Sequence, residues 1–247
     1  MIFTIAYKEF RSLFATPSTW LILGALQFIF AWFFLARLDA FLQVQAQLSQ
    51  IANAPGATLA VVAPLFGTLA LILMMLVPVF TMRLFAEERR NQTLALLMTA
   101  PVSGMHIVLG KFFGLMLLLL LIVASCTLMV LSLAAGTQLD IGLLLSNALG
   151  LLLLASSYVA LGLYISSLTA QPVVAAIAAL AALFGLWLIE VSAVDNDNIL
   201  SRFAPTSHFQ SFNIGLLNSA DMVYFVVFSA VFLLLTIRRI YNNRIYG

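Results

Sequence analysis

The chain has 247 residues, of which 64% are hydrophobic and only 8% are charged, and its formal net charge is +2. Since a soluble domain carries about 25% charged residues, this composition excludes a soluble domain and predicts an integral membrane protein. The small net charge does not suggest a nucleic-acid partner, and the single cysteine, Cys126, excludes a disulfide framework and a thiolate metal site.

The first predicted element is an amphipathic helix over residues 2–15. Apolar residues surround Lys8, Glu9 and Arg11 there, a pattern that is too charged to cross a bilayer and is typical of a helix in the interface plane. Pro17 is expected to end this helix before the first span. The alternative interpretation is a simple charged flank. A signal peptide is not expected, because no small-residue cleavage site follows the first long apolar run.

Six apolar segments are long enough to cross a membrane. A hydrocarbon layer of about 30 Å needs about 20 helical residues, at about 1.5 Å per residue. Pro64 and Pro78 fall inside the second segment and predict kinks there. The segments are Ser18–Ala36, Leu59–Met82, Phe112–Ala135, Leu143–Ser166, Val173–Val191 and Met222–Ile237.

The basic residues predict how these spans are oriented. Of the 11 lysine and arginine residues, all but Arg37 and Arg202 lie near the termini or between spans two and three. By the positive-inside rule, the side that is rich in basic residues is cytoplasmic. Both termini are therefore expected in the cytoplasm, which agrees with an even number of spans.

The segment from Arg83 to Lys111 is the most charge-dense stretch of the chain. Its four consecutive charges, Glu87–Arg90, would each cost roughly 2.5–3.5 kcal/mol at a bilayer centre, so they must face water or a water-facing partner. Residues 91–100 can form a short helix that ends at Pro101 and packs its apolar face into a groove on a partner. An interfacial loop that binds lipid is the alternative. The apolar face consists of Leu94, Leu97 and Met98.

Two short patterns resemble known chemical sites but differ from them in detail. Gly104–Lys111 resembles a phosphate-binding loop, but its spacing is one residue too long and Phe112 replaces the hydroxyl residue. Glu87–Glu88 resembles the paired glutamates of intramembrane proteases that process prenylated proteins, but Gln92 stands where those proteases have arginine. A membrane enzyme is therefore the least favoured alternative, and the chain itself is expected to bind no cofactor.

The remaining ionisable residues do not suggest a metal site or an ion path. His106 and His208 are expected on opposite sides of the membrane, so they cannot share a metal. The span centres lack charge, since Glu190 falls near an outer end, and this argues against ion-coupled transport. Energy must then come from a separate protein, and the Arg83–Lys111 segment is its expected point of entry.

The Arg83–Lys111 segment resembles the first cytoplasmic loop of type-2 ABC exporter permeases. Two positions depart from that pattern, because Gln92 stands for the usual glycine and Ala95 for the usual glutamate. If that glutamate contacts the ATPase in relatives, Glu87 or Glu88 is expected to compensate. The matching residues are Glu87, Glu88, Arg89, Thr93, Leu96, Leu97, Thr99, Pro101, Val102, Ser103, Ile107, Gly110 and Lys111.

A second resemblance, to the permease subunits of gliding-motility-type ABC systems, covers the outer loop and the last span. The charged start at Lys8–Arg11 is also similar. The matching residues in the outer loop and last span are Leu200, Ser201, Ser207, His208, Phe209, Phe212, Gly215, Asp221, Tyr224 and Phe225.

These resemblances imply an all-α integral membrane protein with residues 1–247 forming a single permease domain. Its parts would be an N-terminal interfacial helix, six transmembrane helices, a cytoplasmic coupling helix between spans two and three, and short outer helices between spans five and six. The protein would lie in a bacterial inner membrane. Its partners would be two ABC ATPase subunits, which bind ATP and magnesium, and a second permease copy or paralogue.

Three groups of site residues follow from this assignment. One couples to the ATPase, and one is a second cytoplasmic contact in the short connection between spans four and five. The third is an outer group that forms either a gate or partner surface or an interfacial aromatic belt. The groups are Glu87, Glu88, Arg89, Arg90, Thr93, Leu94, Leu97, Met98 and Pro101; then Leu168, Thr169 and Gln171; then Phe203, His208, Phe209 and Phe212.

The predicted function is that of a permease subunit, which couples ATP hydrolysis by a separate ATPase to export of a substrate. The alternative is a non-transporting membrane anchor that relays ATPase motion to an extracytoplasmic auxiliary protein. In both cases the chain is a non-catalytic subunit, and its sequence does not identify a substrate.

Overall fold

A computed structural model describes residues 1–48, 58–92, 103–135, 139–192 and 203–246. All regular structure in these ranges is helical, and no strand occurs in them. The eight principal helices are α1 (Ile2–Ala15), α2 (Pro17–Leu48), α3 (Ala63–Met82), α4 (Gly104–Leu131), α5 (Ile141–Leu168), α6 (Pro172–Ser192), α7 (Pro205–Asn213) and α8 (Ser219–Tyr246).

Among the described residues, six helical segments are long and apolar enough to span a membrane, which confirms the predicted all-α integral membrane protein. Each predicted span lies within one of them, except that the third predicted span ends one residue later, at Ala135. Helix α2 continues unbroken past Arg37 to Leu48, because the residues after Arg37 include no glycine or proline and are rich in strong helix formers. The spans are Pro17–Gln43, Thr58–Arg90, Gly104–Ala134, Ile141–Leu168, Pro172–Ser192 and Ser219–Asn242.

Helix α1 is a separate amphipathic helix, as its charge pattern predicts. It ends at Ala15, and a single residue, Thr16, separates it from Pro17, the first residue of α2. Ala6 and Leu13 are buried against the rest of the protein, whereas Phe3 and Tyr7 are exposed. A helix with one protein-facing side and exposed aromatic residues suits a membrane interface, and its position there stays a prediction.

Two glycines of α4 allow α1 to pack closely against it. A Cβ atom on Gly110 would lie 2.5 Å from Cγ2 of Ile5, and one on Gly114 would lie 2.8 Å from Cβ of Glu9 and 2.9 Å from the carbonyl oxygen of Ala6. No real side chain fits at such distances. The Gly110-x-x-x-Gly114 pattern is therefore a helix-packing motif, used here between α4 and the N-terminal helix.

Substitution of Gly114 by valine is expected to lower the free energy of unfolding by about 1–3 kcal/mol, because the added atoms overlap α1. The measurement is the thermal unfolding midpoint of the purified protein in detergent. Gly24→Val is the matched control, since a Cβ atom on Gly24 of α2 meets nothing within 4 Å. Equal midpoints for the two variants would contradict the role given to Gly114.

Helix α5 is the centre of the bundle and contacts α3, α4, α6, α7 and α8. Its small residues permit these contacts. A Cβ atom on Gly162 would lie 2.9 Å from Cβ of Thr81 in α3, and one on Gly150 would lie 2.7 Å from Cγ of Phe212 in α7. Tyr158, between these glycines, is 2% exposed. The core of the protein therefore surrounds α5.

The fold brings both chain ends to the same end of the bundle. Gly104, the first residue of α4, lies 3.6 Å, measured from an ideal Cβ position, from Ile240 near the end of α8. Lys111, two turns later in α4, pairs with Glu9 of α1. We call this end, which also holds residues 83–92, the basic end. Helix α7 lies at the opposite end, as predicted for the segment between spans five and six.

Candidate functional site

The second span ends in an irregular turn at the basic end. The segment Arg83–Glu87 is π-helical, and the buried Ser166 of α5 holds it in place. The Ser166 hydroxyl oxygen accepts hydrogen bonds from the backbone amides of Phe85 (3.3 Å) and Ala86 (3.1 Å), and it donates to the carbonyl oxygen of Met82 (3.3 Å). Since π-helical turns often lie at functional sites, this turn indicates that the segment directly after it is part of a functional site.

A buried lysine links three parts of the basic end. The side chain of Lys111 is only 1% exposed, and its Nζ atom donates to Oε1 of Glu88 (2.7 Å) and Oε1 of Glu9 (3.1 Å). It also lies 5.4 Å from the ring centroid of Phe85, a cation–π contact. A buried charge requires such partners. We call Lys111, Glu9 and Glu88 the ionic cluster, and it joins α1, α4 and the end of the second span.

The sequence does not predict the ionic cluster. It identifies Lys111 only as a position that matches a family pattern, and it groups Glu88 with the residues that contact a partner. Glu88 and Glu9 are 23 and 102 residues away from Lys111, so no local spacing rule connects them. The available signal is the lysine itself, because a cation within a strongly apolar helix requires a carboxylate partner.

The four consecutive charges at the end of span two face two different ways. Glu87 and Glu88 line a cavity of about 340 Å³ whose opposite wall is α1. Arg89 and Arg90 line a groove of about 570 Å³, which we call the basic groove. Arg239, on α8, is close enough for its positive charge to repel that of Arg89. The other residues of the basic groove are Gln92, Ala170, Gln171, Pro172 and Val173.

The basic groove brings together residues of the two predicted cytoplasmic contacts. Arg89 and Arg90 belong to the first contact and Gln171 to the second. The connection between α5 and α6 has only three residues. Its Thr169 hydroxyl accepts a hydrogen bond from the backbone N–H of Gln171 (3.1 Å). Leu168, at the end of α5, is exposed. The predicted coupling helix stays a prediction, since the described residues exclude Thr93, Leu94, Leu97, Met98 and Pro101.

At the opposite end, side chains of two spans hold α7 in place. The Nδ1 atom of His208 lies 2.6 Å from Oδ1 of Asp221 in α8, and the His208 ring stacks on Tyr224 with 3.9 Å between ring centroids. Gln210 donates a hydrogen bond to Glu190 of α6 (2.8 Å). His208 therefore anchors α7 to α8 and contributes to the packing of the outer segment.

The aromatic residues predicted for the outer group divide into two sets. Phe209 is 4% exposed and Phe212 is fully buried, so both pack into the protein under α7. Phe203 is 61% exposed, and two leucines that follow α7, Leu216 and Leu217, are 60% and 62% exposed. Of the residues named here, the exposed ones can meet a bilayer or a partner protein, and both alternatives from the sequence apply to them. Phe209 and Phe212 instead fix the position of α7.

Within the described ranges, no group of three or more histidine, cysteine or acidic residues could hold a metal ion. His106 contacts Ser103 at the start of α4, at the basic end, whereas His208 lies on α7 at the opposite end. The two histidines thus lie at opposite ends of the bundle, and their placement on opposite sides of the membrane stays a prediction. Cys126 is fully buried, as expected for a small apolar residue.

Comparison with known families assigns the chain to one of them. A family model described as ABC-2 family transporter protein matches residues 3–244. The chain belongs to the ABC-2 transporter family. A search of curated proteins finds no match. Membership confirms the coarser part of the resemblance: this ABC-2 protein is a multi-pass transmembrane subunit, and the family works with ABC ATPase subunits. The gliding-motility-type subgroup stays a prediction.

The backbone of this ABC-2 protein explains why the permease pattern has glycine at one of the two positions where this chain departs from it. Gln92, which stands where the pattern has glycine, has a φ angle of 56°. This left-handed conformation suits glycine, which has no Cβ atom to collide with the backbone. It follows directly after the helical turn Glu88–Arg90 and Asn91, where glycine commonly ends a helix. The ABC-2 protein keeps this turn with glutamine in place of glycine.

Proposed function

We propose that this protein is the permease subunit of an ATP-driven exporter and that its basic end is the docking site of a separate ABC ATPase. The observation that supports this most directly is the basic groove. It places Arg89 and Arg90 beside Gln171, so two segments that are far apart in the chain present one surface to a partner. The coupling helix predicted within residues 91–100 would follow directly from the edge of this groove.

The same contacts suggest how force enters the membrane. Arg89 and Arg90 continue the second span through the π-helical turn, which Ser166 ties to the fourth span. The ionic cluster ties the same segment to the third span and to α1. Because these elements are joined, a movement of the ATPase on ATP binding would shift them together as a rigid body.

The remaining parts of the proposal concern the assembly. A chain with six spans and no ATPase would pair with a second copy or a paralogue and with two ATPase subunits, which bind ATP and magnesium. The protein would lie in a bacterial inner membrane with its basic end in the cytoplasm. The concentration of basic residues at that end supports this orientation.

The test of the docking site is the double variant Arg89→Glu with Arg90→Glu. We expect it to reduce the amount of ATPase that co-purifies with the chain at least tenfold, about 1.4 kcal/mol, because like charges would then meet on the partner. Arg11→Glu is the matched control, since Arg11 is exposed on α1 and does not line the basic groove.

Two readouts make this experiment decisive. Membrane insertion and the gel-filtration profile of the double variant should match those of the unmodified chain, because Arg90 is exposed and Arg89 is only partly buried. Unchanged recovery of the ATPase would overturn the proposed docking site. Charge reversal at Glu88 is a poorer test, because it also breaks the ion pair with Lys111.

A further inference from the structure

A second cavity at the basic end has a lining that suits a different kind of ligand. It lies between α1 and the end of the second span and has a volume of about 340 Å³, within the range of about 300–1,000 Å³ that is typical of small-ligand sites. Its lining includes three basic and three acidic side chains, so its formal charges balance. They are Lys8, Arg83, Lys111, Glu9, Glu87 and Glu88.

Half of these charges are already committed to the ionic cluster. The other half, Lys8, Arg83 and Glu87, form no ion pair within the described part of the chain; Arg83 donates only to the hydroxyl of Ser18, at 3.3 Å. Two cations and one anion thus face the same cavity outside the ion pairs of the ionic cluster. Because the whole lining is neutral, a ligand that carries both a negative and a positive charge fits it better than a simple anion.

The position of the cavity indicates where such a ligand comes from. The cavity reaches Thr16, at the bend between the amphipathic helix α1 and the first span. One turn further on, Trp20 is exposed and its indole nitrogen donates to the carbonyl oxygen of Phe14 (2.9 Å). Exposed tryptophans and amphipathic helices mark the level of lipid headgroups. The apolar residues of the lining are Leu13 and Leu84, and its uncharged polar residues are Ser12, Thr16 and Asn91.

We propose that this cavity binds the headgroup of an aminophospholipid, phosphatidylethanolamine. Arg83 and Lys8 would bind the phosphodiester, because a guanidinium and an ammonium both pair with phosphate oxygens. Glu87 would accept hydrogen bonds from the primary ammonium of the ethanolamine. The bound lipid would hold α1 against the end of the second span, next to the ionic cluster. This site is separate from the basic groove and does not depend on ATPase docking.

The test is native mass spectrometry of the full chain in detergent, offered phosphatidylethanolamine, phosphatidylcholine and phosphatidylglycerol with identical acyl chains. We expect one phosphatidylethanolamine to be retained, with at least tenfold higher occupancy than the other two lipids. Phosphatidylcholine has no N–H donor for Glu87, and phosphatidylglycerol has no cation. Equal retention of all three lipids would overturn the proposal.

Variants locate the site. The pair Lys8→Gln and Arg83→Gln should reduce retention of phosphatidylethanolamine at least tenfold, whereas Glu87→Gln should remove the preference over phosphatidylcholine. Arg11→Gln is the matched control, because Arg11 is a basic residue of the same helix that does not line the cavity. Ser12→Trp fills the cavity and leaves its charges intact, so it should also abolish retention. Unchanged retention in Ser12→Trp would contradict the assignment.

A competition experiment distinguishes a lipid from a soluble ligand with the same chemistry. Free phosphoethanolamine should displace the lipid only at concentrations at least a hundredfold above that of the lipid, because it lacks the acyl chains that bury apolar surface. If it competes at an equal concentration, the cavity recognises a soluble phosphate ester and the assignment to a membrane lipid is wrong.

Discussion

Replacement of Lys111 by methionine is expected to lower the free energy of unfolding by about 3–5 kcal/mol. The change removes the shared cation of Glu9 and Glu88, whose side chains are only 15% and 20% exposed, and leaves both carboxylates in a poorly hydrated site. Methionine keeps most of the aliphatic volume of lysine, so the charge is the main difference. The measurement is thermal unfolding in detergent, together with the yield of monodisperse protein.

The control for this variant removes the acidic partners as well. In the triple variant Lys111→Met, Glu9→Gln and Glu88→Gln, no uncompensated charge remains, so most of the lost stability should return. A single variant as stable as the unmodified chain would mean that the ionic cluster contributes nothing. A triple variant no better than the single one would assign the loss to packing around Lys111.

The consequence for function differs between these two variants. The ionic cluster connects α1 and the third span to the segment that precedes the predicted coupling helix. Neutral side chains can pack in the same positions and keep most of the stability, but they lack the charge-assisted hydrogen bonds that fix the orientation of these segments. We therefore expect the triple variant to fold and insert normally, with weaker transmission between the ATPase and the spans.

Several features of the fold could be predicted because they depend on local sequence. The six spans follow from the length of the apolar segments, and α1 follows from the charges among its apolar residues. Helix ends were harder to predict. The sequence places the end of the first span near Arg37, but an arginine near a membrane surface does not stop a helix, and α2 continues through it.

Other features depend on contacts between distant residues. In a membrane protein, apolar residues face both lipid and protein, so hydrophobicity does not separate the two environments. For this reason the outer aromatic residues resemble a single surface patch in the sequence, although Phe209 and Phe212 are buried and Phe203 is exposed. Likewise, Glu88 appears in the sequence as one of four partner-facing charges, and its pairing with Lys111 is visible only in the fold.

Substitution of Phe212 by alanine is expected to lower the free energy of unfolding by about 3–5 kcal/mol, as for other buried phenylalanines. The ring is fully buried, and its centroid lies 6.1 Å from that of Phe225 in α8. Two hydrogen bonds from α5 also hold the backbone around this ring. The Phe212 carbonyl oxygen accepts one from the Ser146 hydroxyl (3.0 Å), and the Asn213 carbonyl oxygen accepts one from the side-chain amide of Asn147 (3.2 Å). Loss of the ring leaves a void between α7 and the centre of the bundle.

The matched control is Phe203→Ala, which removes the same side chain from a position that is 61% exposed. Its effect on the thermal unfolding midpoint should correspond to less than about 0.5 kcal/mol, because surface substitutions rarely exceed this value. The two variants also separate the roles of the outer aromatic residues. If Phe203→Ala alters transport or partner binding without a change in stability, the exposed set is a functional surface. If Phe212→Ala proves as mild as Phe203→Ala, α7 is not held by this contact, and the packing described for the outer end is wrong.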